Sequence, residues 1–397
     1  MENVSTRIAN LAPSATVAMN QKSNDLKAKG IDVINLSVGE PDFFTPDHIK
    51  EAAKKAIDDN FSFYPPVPGF PNLRKAIVEK FKRENDLDYT IDNIIVSVGA
   101  KHSLANVVMA LIGPGDEVII PTPYWVTYEA LVTISEGKSV FVHCGYDSGF
   151  KMTPEQLEAA ITPKTKALFL CSPSNPSGAV YSKEELKAIA DVVVKHENLF
   201  VITDEIYEHI NYVGKHESIA QFSEIKDRVV VINGVSKAYA MTGYRIGYMA
   251  APTWIVKACN KLQGQLVTGP TTIAQIAAIE ALNGPQQCVK DMLEAFTRRR
   301  KLILDLLSVM PGIETALPDG AFYVFPKVSS YYGKSIGDRK IETSQDLCIY
   351  LLEIANIATV PGEAFGEPDC IRISFATSDE NITEAMKRMK KALADLN

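Results

Sequence analysis

The middle of the chain alternates short apolar runs with longer stretches in which apolar positions recur every three or four residues. Ile94–Val98, Glu117–Ile120, Ser139–Val142, Ala167–Leu170, Leu199–Ile202 and Val229–Ile232 read as strands. Between them, Lys101–Ile112 and Ser182–Lys195 carry a helical period, and Gly113-Pro114-Gly115-Asp116 ends the first of these. Strands alternating with helices predict an α/β fold whose large domain is a mostly parallel sheet sandwiched by helices. The C-terminal part changes character. A charged helical pattern from about Pro285 to Met310 leads to an apolar run Ala321–Phe325, a helix around Ser344–Ile354, a strand Cys370–Phe375 and an amphipathic helix from Asp379 onward. These elements predict a smaller α+β domain. There is no internal repeat or low-complexity linker, so a long helix is the expected joint.

Composition narrows the class. The 397 residues are 46% hydrophobic and 22% charged, which is globular and long enough for about two or three domains. With 41 Lys+Arg against 48 Asp+Glu, the net charge of −7 argues against a nucleic-acid partner, which needs a basic face. Six scattered cysteines form no CxxC pair, and six histidines show no HxxxH or HxH spacing; buried reduced thiols and no metal site are expected. No apolar signal segment and no stretch of ~18 apolar residues is present. The Asn3 and Asn381 glycosylation patterns therefore carry no meaning, and a cytoplasmic protein with no membrane partner is expected.

The conspicuous polar residues fall just beyond strand ends, where parallel α/β sheets bind ligands. Gly99-Ala100-Lys101-His102-Ser103 joins a strand to a helix, and reads either as an anion cradle or as an ordinary βα turn. Asn175, within Ser172–Gly178, is not explained by turn chemistry alone. Asp204-Glu205 directly follows a buried strand and is costly there unless paired, a solvated loop being the alternative. Lys237 follows Ser236 in an apolar, glycine-bearing context with Arg245 eight positions on; burial and a nearby cation would lower its pKa, as a Schiff-base lysine requires. No Gly-x-Gly-x-x-Gly opens a βαβ unit, and the Gly-Lys-Ser tripeptides at 137 and 333 lack the earlier glycine of a phosphate-binding Walker loop. A dehydrogenase is disfavoured accordingly.

Taken together, Ser37–Phe43 (SVGEPDF), Tyr64-Pro65-Pro66-x-Pro68-Gly69, Asn175-Pro176-x-Gly178, Asp204-Glu205-Ile206-Tyr207, Ser236-Lys237-x5-Gly243-x-Arg245-x-Gly247 and Arg372 resemble the fold-type-I, class-I pyridoxal-phosphate aminotransferases, in their bacterial aspartate aminotransferase branch. Ala12-Pro13-Ser14-Ala15-Thr16 and Pro123-Tyr124-Trp125-Val126-x-Tyr128 match as well, so the likeness runs the length of the chain, in order.

The resemblance implies pyridoxal 5′-phosphate as cofactor and a role for each matched position. Lys237 would carry the cofactor as a Schiff base and move the substrate's α-proton. Asp204 would hold the pyridine nitrogen protonated, and Tyr207 and Asn175 would hydrogen-bond the phenolic oxygen. Trp125 would stack on the ring. Gly99, Ala100, Lys101, Ser236 and Arg245 would take the phosphate, joined by Tyr64 from a neighbouring subunit, which makes a homodimer with shared active sites. Arg372 would clamp the substrate α-carboxylate, helped by Gly39 and Asn175. A lysine at the position of Lys101 is associated in this branch with the distal carboxylate, leaving it open whether Lys101 serves phosphate or substrate.

The implied activity is ping-pong aspartate:2-oxoglutarate amino-group transfer between small amino acids and 2-oxo acids. Branch members that accept prephenate carry a lysine where this chain has Ala12, which argues against that substrate. The alternatives are another specificity (aromatic, alanine or prephenate) or a β-lyase on the same fold. A non-catalytic regulator is disfavoured by the intact Lys237 and Asp204. The expected domains are an N-terminal arm (1–13), a small domain (14–46 plus 296–397) and a large cofactor-binding domain (47–295).

Overall fold

The computed structural model describes residues 4–13 and 15–397. Ser14 of the opening motif, and Asn3 of the first glycosylation pattern, lie outside the described residues.

Seven strands form the main sheet: β1 (Ile94–Val98), β2 (Glu117–Thr122), β3 (Lys138–His143), β4 (Thr165–Cys171), β5 (Phe200–Asp204), β6 (Val229–Gly234) and β7 (Ile246–Ala250). Their order is β1-β7-β6-β5-β4-β2-β3. β7 runs antiparallel to both neighbours and every other pairing is parallel. Every residue of β6 and β7 is buried, the unbroken apolar run expected of strands covered on both faces.

β7 is the one strand of this sheet that the hydrophobic pattern did not predict. Its first two residues, Ile246 and Gly247, close the Gly243-x-Arg245-x-Gly247 motif, and a glycine weakens a strand pattern. The tertiary reason for Gly247 is close approach: a Cβ there would lie 2.0 Å from the Ala100 nitrogen. β7 thus presses against the start of the helix that follows β1, and only glycine fits.

The helices used below are α1 (Pro71–Asn85), α2 (Ala100–Leu111), α3 (Thr127–Ile134), α4 (Lys183–Val194), α5 (Gln287–Ser308) and α6 (Asp379–Ala394). Their ends follow local chemistry. Pro71 occupies the first turn of α1 and Asp86 ends it in the left-handed conformation. Ser182 and Glu185 cap α4 reciprocally. One core beneath the sheet joins Ile77, Phe81 and Ala277 to Ile94 and Val231; a second, on the other face, joins Leu104, Val107 and Ile255 to Ile95 and Ile232.

A third core unites chain segments far apart in sequence. Met19, Val33 and Leu36 pack with Phe296 and Ile303 of α5, with Ile371 and Ile373, and with Met386 and Met389 of α6. Ile34–Asn35 pairs in parallel with Ile357–Ala358. A small antiparallel sheet is formed by β8 (Tyr323–Val324), β9 (Val360–Pro361) and β10 (Ile371–Ser374), with β10 central. Only two residues of the apolar run Ala321–Phe325 pair as a strand. Ala321 adopts φ +56° and its N–H bonds the Ile210 carbonyl, so the run is anchored to the turn after β5 rather than extended. The same core includes Ile206, Tyr207 and Ile210 of that turn, so it reaches the carboxyl end of the main sheet, where the ligand site is expected.

Candidate active site

The carboxyl ends of β1, β5 and β6, the start of α2 and the N-terminal strand Ile34–Asn35 with its continuation to Glu40 enclose a cleft of about 310 Å³. The register sets Asp204 beside Cys171 and Ile232 at one level. The cleft draws together Lys237, Asp204, Tyr207, Ser236 and Arg245 from the main sheet and its loops, Ala100, Lys101, Trp125 and Asn175 from the loops and helix starts beside it, and Gly39 and Arg372 from the other core. Gly99 lies just behind this surface, where a Cβ would meet the Arg245 guanidinium at 2.4 Å. Tyr64 lies outside the cleft and is 92% exposed.

Three of the charged side chains that line it, Asp204, Lys237 and Arg372, have no counter-ion within salt-bridge distance among the described residues. Asp204 is buried. Its Oδ2 accepts the Tyr128 hydroxyl at 2.8 Å and its Oδ1 a long bond from the Ile206 N–H at 3.4 Å. Burial lifts its pKa from 3.8 to about 6, against the lowering pull of Tyr128 and of the Ile206 N–H. Arg372, 2% exposed, donates from Nη1 to the Asn175 Oδ1 at 2.8 Å and from Nη2 to the Ser37 carbonyl at 2.6 Å. Its Nε is buried without a partner. The guanidinium lies 4.6 Å from the Tyr323 ring centroid and 5.0 Å from that of Phe365, and burial lowers its pKa. Asn175, unexplained as a turn residue, is thus an acceptor that orients this arginine.

Lys237 donates from Nζ to the Gly39 carbonyl at 2.5 Å. Burial lowers its pKa from 10.5 to about 8; Glu40 pulls the other way, and Arg372 and Arg245 add to the depression. The direction expected from sequence holds, and the first cause is desolvation. Such an amine is partly unprotonated near neutrality, and so able to act as nucleophile and base.

The cleft contains groups to which the sequence assigned no role. Tyr128 lay inside a recognised motif; the structure stacks its ring on Phe169 at 4.5 Å and turns its hydroxyl to Asp204. Tyr323 sat in a run read as core. Its hydroxyl is 2.7 Å from that of Tyr207, and a Cβ on Gly39 would fall 2.3 Å from it, so glycine at 39 lets the backbone reach Lys237. Glu40 accepts the Thr242 hydroxyl. Lys101 lies 4.8 Å from the Trp125 ring centroid, and burial followed by Arg245 lowers its pKa.

The residues present fit pyridoxal phosphate. A desolvated carboxylate with one side-chain donor suits a protonated ring nitrogen, and a depressed lysine suits a carbonyl carbon. The start of α2 beside Ser236 and Arg245 suits a phosphate. Arg372, a buried cation lacking an anion, suits a substrate carboxylate.

On the far side of β5 the picture is reversed. Glu205, next to Asp204, accepts from Ser218 Oγ at 2.7 Å and from Thr203 Oγ1 at 3.1 Å, and lies 3.0 Å from His216 Nε2. Glu208 is ion-paired with buried Lys80 and accepts from Asn85 and Asn233 at 2.9 and 2.8 Å. Two trios of potential metal ligands, Glu84–Glu208–His209 and Glu205–Glu208–His216, meet here without any sequence motif; Lys80 supplies a cation to Glu208, the carboxylate they share.

The chain belongs to the class I and II aminotransferases: the model of that family matches residues 31–389. It is 46% identical over 395 residues to the aspartate/prephenate aminotransferase of Nitrosomonas europaea, covering 98% of this chain and 100% of that protein. It is 45% identical to an aspartate aminotransferase of Rhizobium meliloti, covering 98% of this chain and 95% of that one. Among solved structures, the aspartate aminotransferase from Rhizobium meliloti superposes with a TM-score of 0.96 at 44% identity, covering 100% of both chains. The Thermus thermophilus enzyme with maleate gives 0.93 at 42% identity, over 99% of this chain and 100% of that one.

Proposed function

We propose that the chain is a pyridoxal-phosphate-dependent aspartate:2-oxoglutarate aminotransferase working by a ping-pong scheme. The observation that carries this reading is that buried Asp204, buried Arg372 and half-buried Lys237 meet in one cleft without counter-ions. When bound, the cofactor supplies the electron sink that lets an α-proton leave the amino acid.

This chain's side chains would do the rest. Arg372 binds the α-carboxylate through its fork and fixes the α-carbon plane. Lys237 Nζ, freed from the Gly39 carbonyl, takes the proton from that carbon and returns one in the other half-reaction. Asp204, oriented by Tyr128, keeps the ring nitrogen protonated, and Tyr207 and Asn175 hydrogen-bond the ring oxygen. Ser236, Arg245, Gly99 and Ala100 hold the phosphate, and Trp125 covers the ring. Lys101, between Trp125 and Arg245, supplies a cation for the distal carboxylate of a dicarboxylic substrate.

We further propose a homodimer in which Tyr64 completes the partner's phosphate site. Phe44, Phe63 and Tyr64 are 91%, 84% and 92% exposed, large aromatic side chains that a partner subunit would cover. The two-part organisation, 14–46 with 296–397 against 47–295 and an arm of 1–13, is supported by the third core drawn from both chain ends. All six cysteines are unpaired, which supports a reducing, cytoplasmic setting. Among the described residues no helix is long and apolar enough to cross a membrane.

The test is the visible spectrum of the purified protein before and after aspartate, followed by a panel of amino donors. Conversion of the cofactor band by aspartate supports the reading. Aspartate performing no better than alanine or phenylalanine removes the substrate assignment. Prephenate is the second reading, supported by the names of relatives 46–48% identical. With alanine at position 12, a prephenate rate well below the 2-oxoglutarate rate is expected.

A further inference from the structure

Lys237 projects four residues beyond Asn233, at the end of β6, and Asn233 is tied to a buried ion pair that takes no part in the cleft. Lys80 of α1 is 0% exposed and Glu208, in the turn after β5, is 5% exposed. Asn85 of α1 spans the pair, accepting from Lys80 Nζ at 2.9 Å and donating to Glu208 Oε2 at 2.9 Å. Glu208 Oε1 accepts from Asn233 Nδ2 at 2.8 Å, and Asn233 Oδ1 accepts the Gly234 N–H at 2.7 Å. Both carboxylate oxygens are thereby engaged.

Buried ion pairs in general are often no more stabilising than well-packed apolar residues of similar volume. What apolar residues would not do is orient. A carboxylate held by an ammonium and two amides fixes the rotation of the Asn233 side chain. That side chain in turn fixes the backbone where β6 gives way to Ser236 and Lys237. Glu208 also directly follows Tyr207, so the one carboxylate sets the Asp204–Tyr207 turn and the Lys237 turn at a defined separation.

We propose that the Lys80–Glu208 pair is a positioning device for Lys237, acting through Asn233. The inference rests on the reading of Lys237 as the reactive amine.

Two variants test it. Lys80→Met/Glu208→Leu removes the pair, and Asn233→Ala cuts the link while leaving the pair intact. In the cofactor-free protein, amide hydrogen exchange over 234–237 is expected to quicken about tenfold relative to β7 in both variants. In the cofactor-loaded enzyme, kcat with aspartate is expected to fall about tenfold or more while KM changes less than about twofold, because position rather than binding is lost. Should the double variant fail to fold, Asn233→Ala alone decides. Unchanged exchange over 234–237 in Asn233→Ala, or an unchanged kcat, overturns the inference and leaves the pair as a structural ion pair. A wild-type enzyme that does not transaminate would sink the functional reading instead, and the exchange measurement would still decide this one.

Discussion

Asp204 and Glu205 are consecutive, both buried, and both at the end of the same strand, yet they live in opposite electrostatic worlds. Side chains alternate across a strand, so one carboxylate enters the cleft and the other the network behind the sheet. Asp204 has no ionic partner, and burial raises its pKa to about 6. Behind the sheet, burial pushes Glu208 up too, but Lys80 with His209 and His216 outweighs it and holds that carboxyl well below its ordinary range. His216 is raised, burial being overcome by Glu205. The difference teaches how to tell a site from a scaffold. Buried charges that satisfy one another hold geometry, whereas buried charges left unsatisfied wait for a ligand.

The comparison can be broken at several points. Lys237→Ala should lower kcat by about 10⁴-fold, the upper end for a positioned proton-transfer group, with little change in unfolding temperature; steady-state kinetics and calorimetry check this. Glu208→Gln should do the reverse first, destabilising the cofactor-free protein by about 1–3 kcal/mol because buried Lys80 keeps only Glu84 at 3.6 Å and Asn85 at 2.9 Å. Denaturant unfolding reads that loss, and an unchanged midpoint would mean the pair is not buried in solution.

Asp204→Asn probes the cleft side by pH. A folded pKa of about 6 against 3.8 unfolded means the folded state binds more protons between those values. Stability of the cofactor-free protein should therefore fall as pH rises from about 4 to 6, by on the order of 3 kcal/mol from this group. The variant should lose that slope, so the difference between the two pH–stability curves is the measurement. Added cofactor, by giving Asp204 a cation, should flatten the wild-type curve.

The smallest effect is expected from Arg372→Lys. The charge stays but the fork is lost, so kcat/KM for aspartate should drop about 10- to 100-fold. A drop carried by kcat with KM unchanged would show that Arg372 does not bind the ground-state carboxylate.

Much of this was legible beforehand because it is local. Six of the seven main strands and the helices α2 and α4 follow from hydrophobic period and turn residues, and Lys237, Asp204, Asn175 and Arg372 stood out as polar residues at strand ends or within ordered motifs. What escaped notice shares one cause. β7 was hidden by the glycine, Gly247, that its contact with α2 requires. Tyr128, inside a matched motif, and Tyr323, inside an apolar run, were given no role, since a hydroxyl's partner is invisible in a pattern along the chain. Lys80, Asn85, Glu208, His216 and Asn233 come from α1, from β6 and from the chain that follows β5, and nothing in their spacing brings them together.

The sequence alone therefore determined the alternation of strands and helices, the family resemblance and the candidates proposed as reactive side chains, because period, turn chemistry and ordered motifs are properties of neighbours along the chain. The tertiary structure decided which of two adjacent acids faces the cleft, which buried charges find partners, and how both ends of the chain meet in one core. Those outcomes depend on distances between segments separated by hundreds of residues, and burial turns such distances into free energy only once the chain has folded.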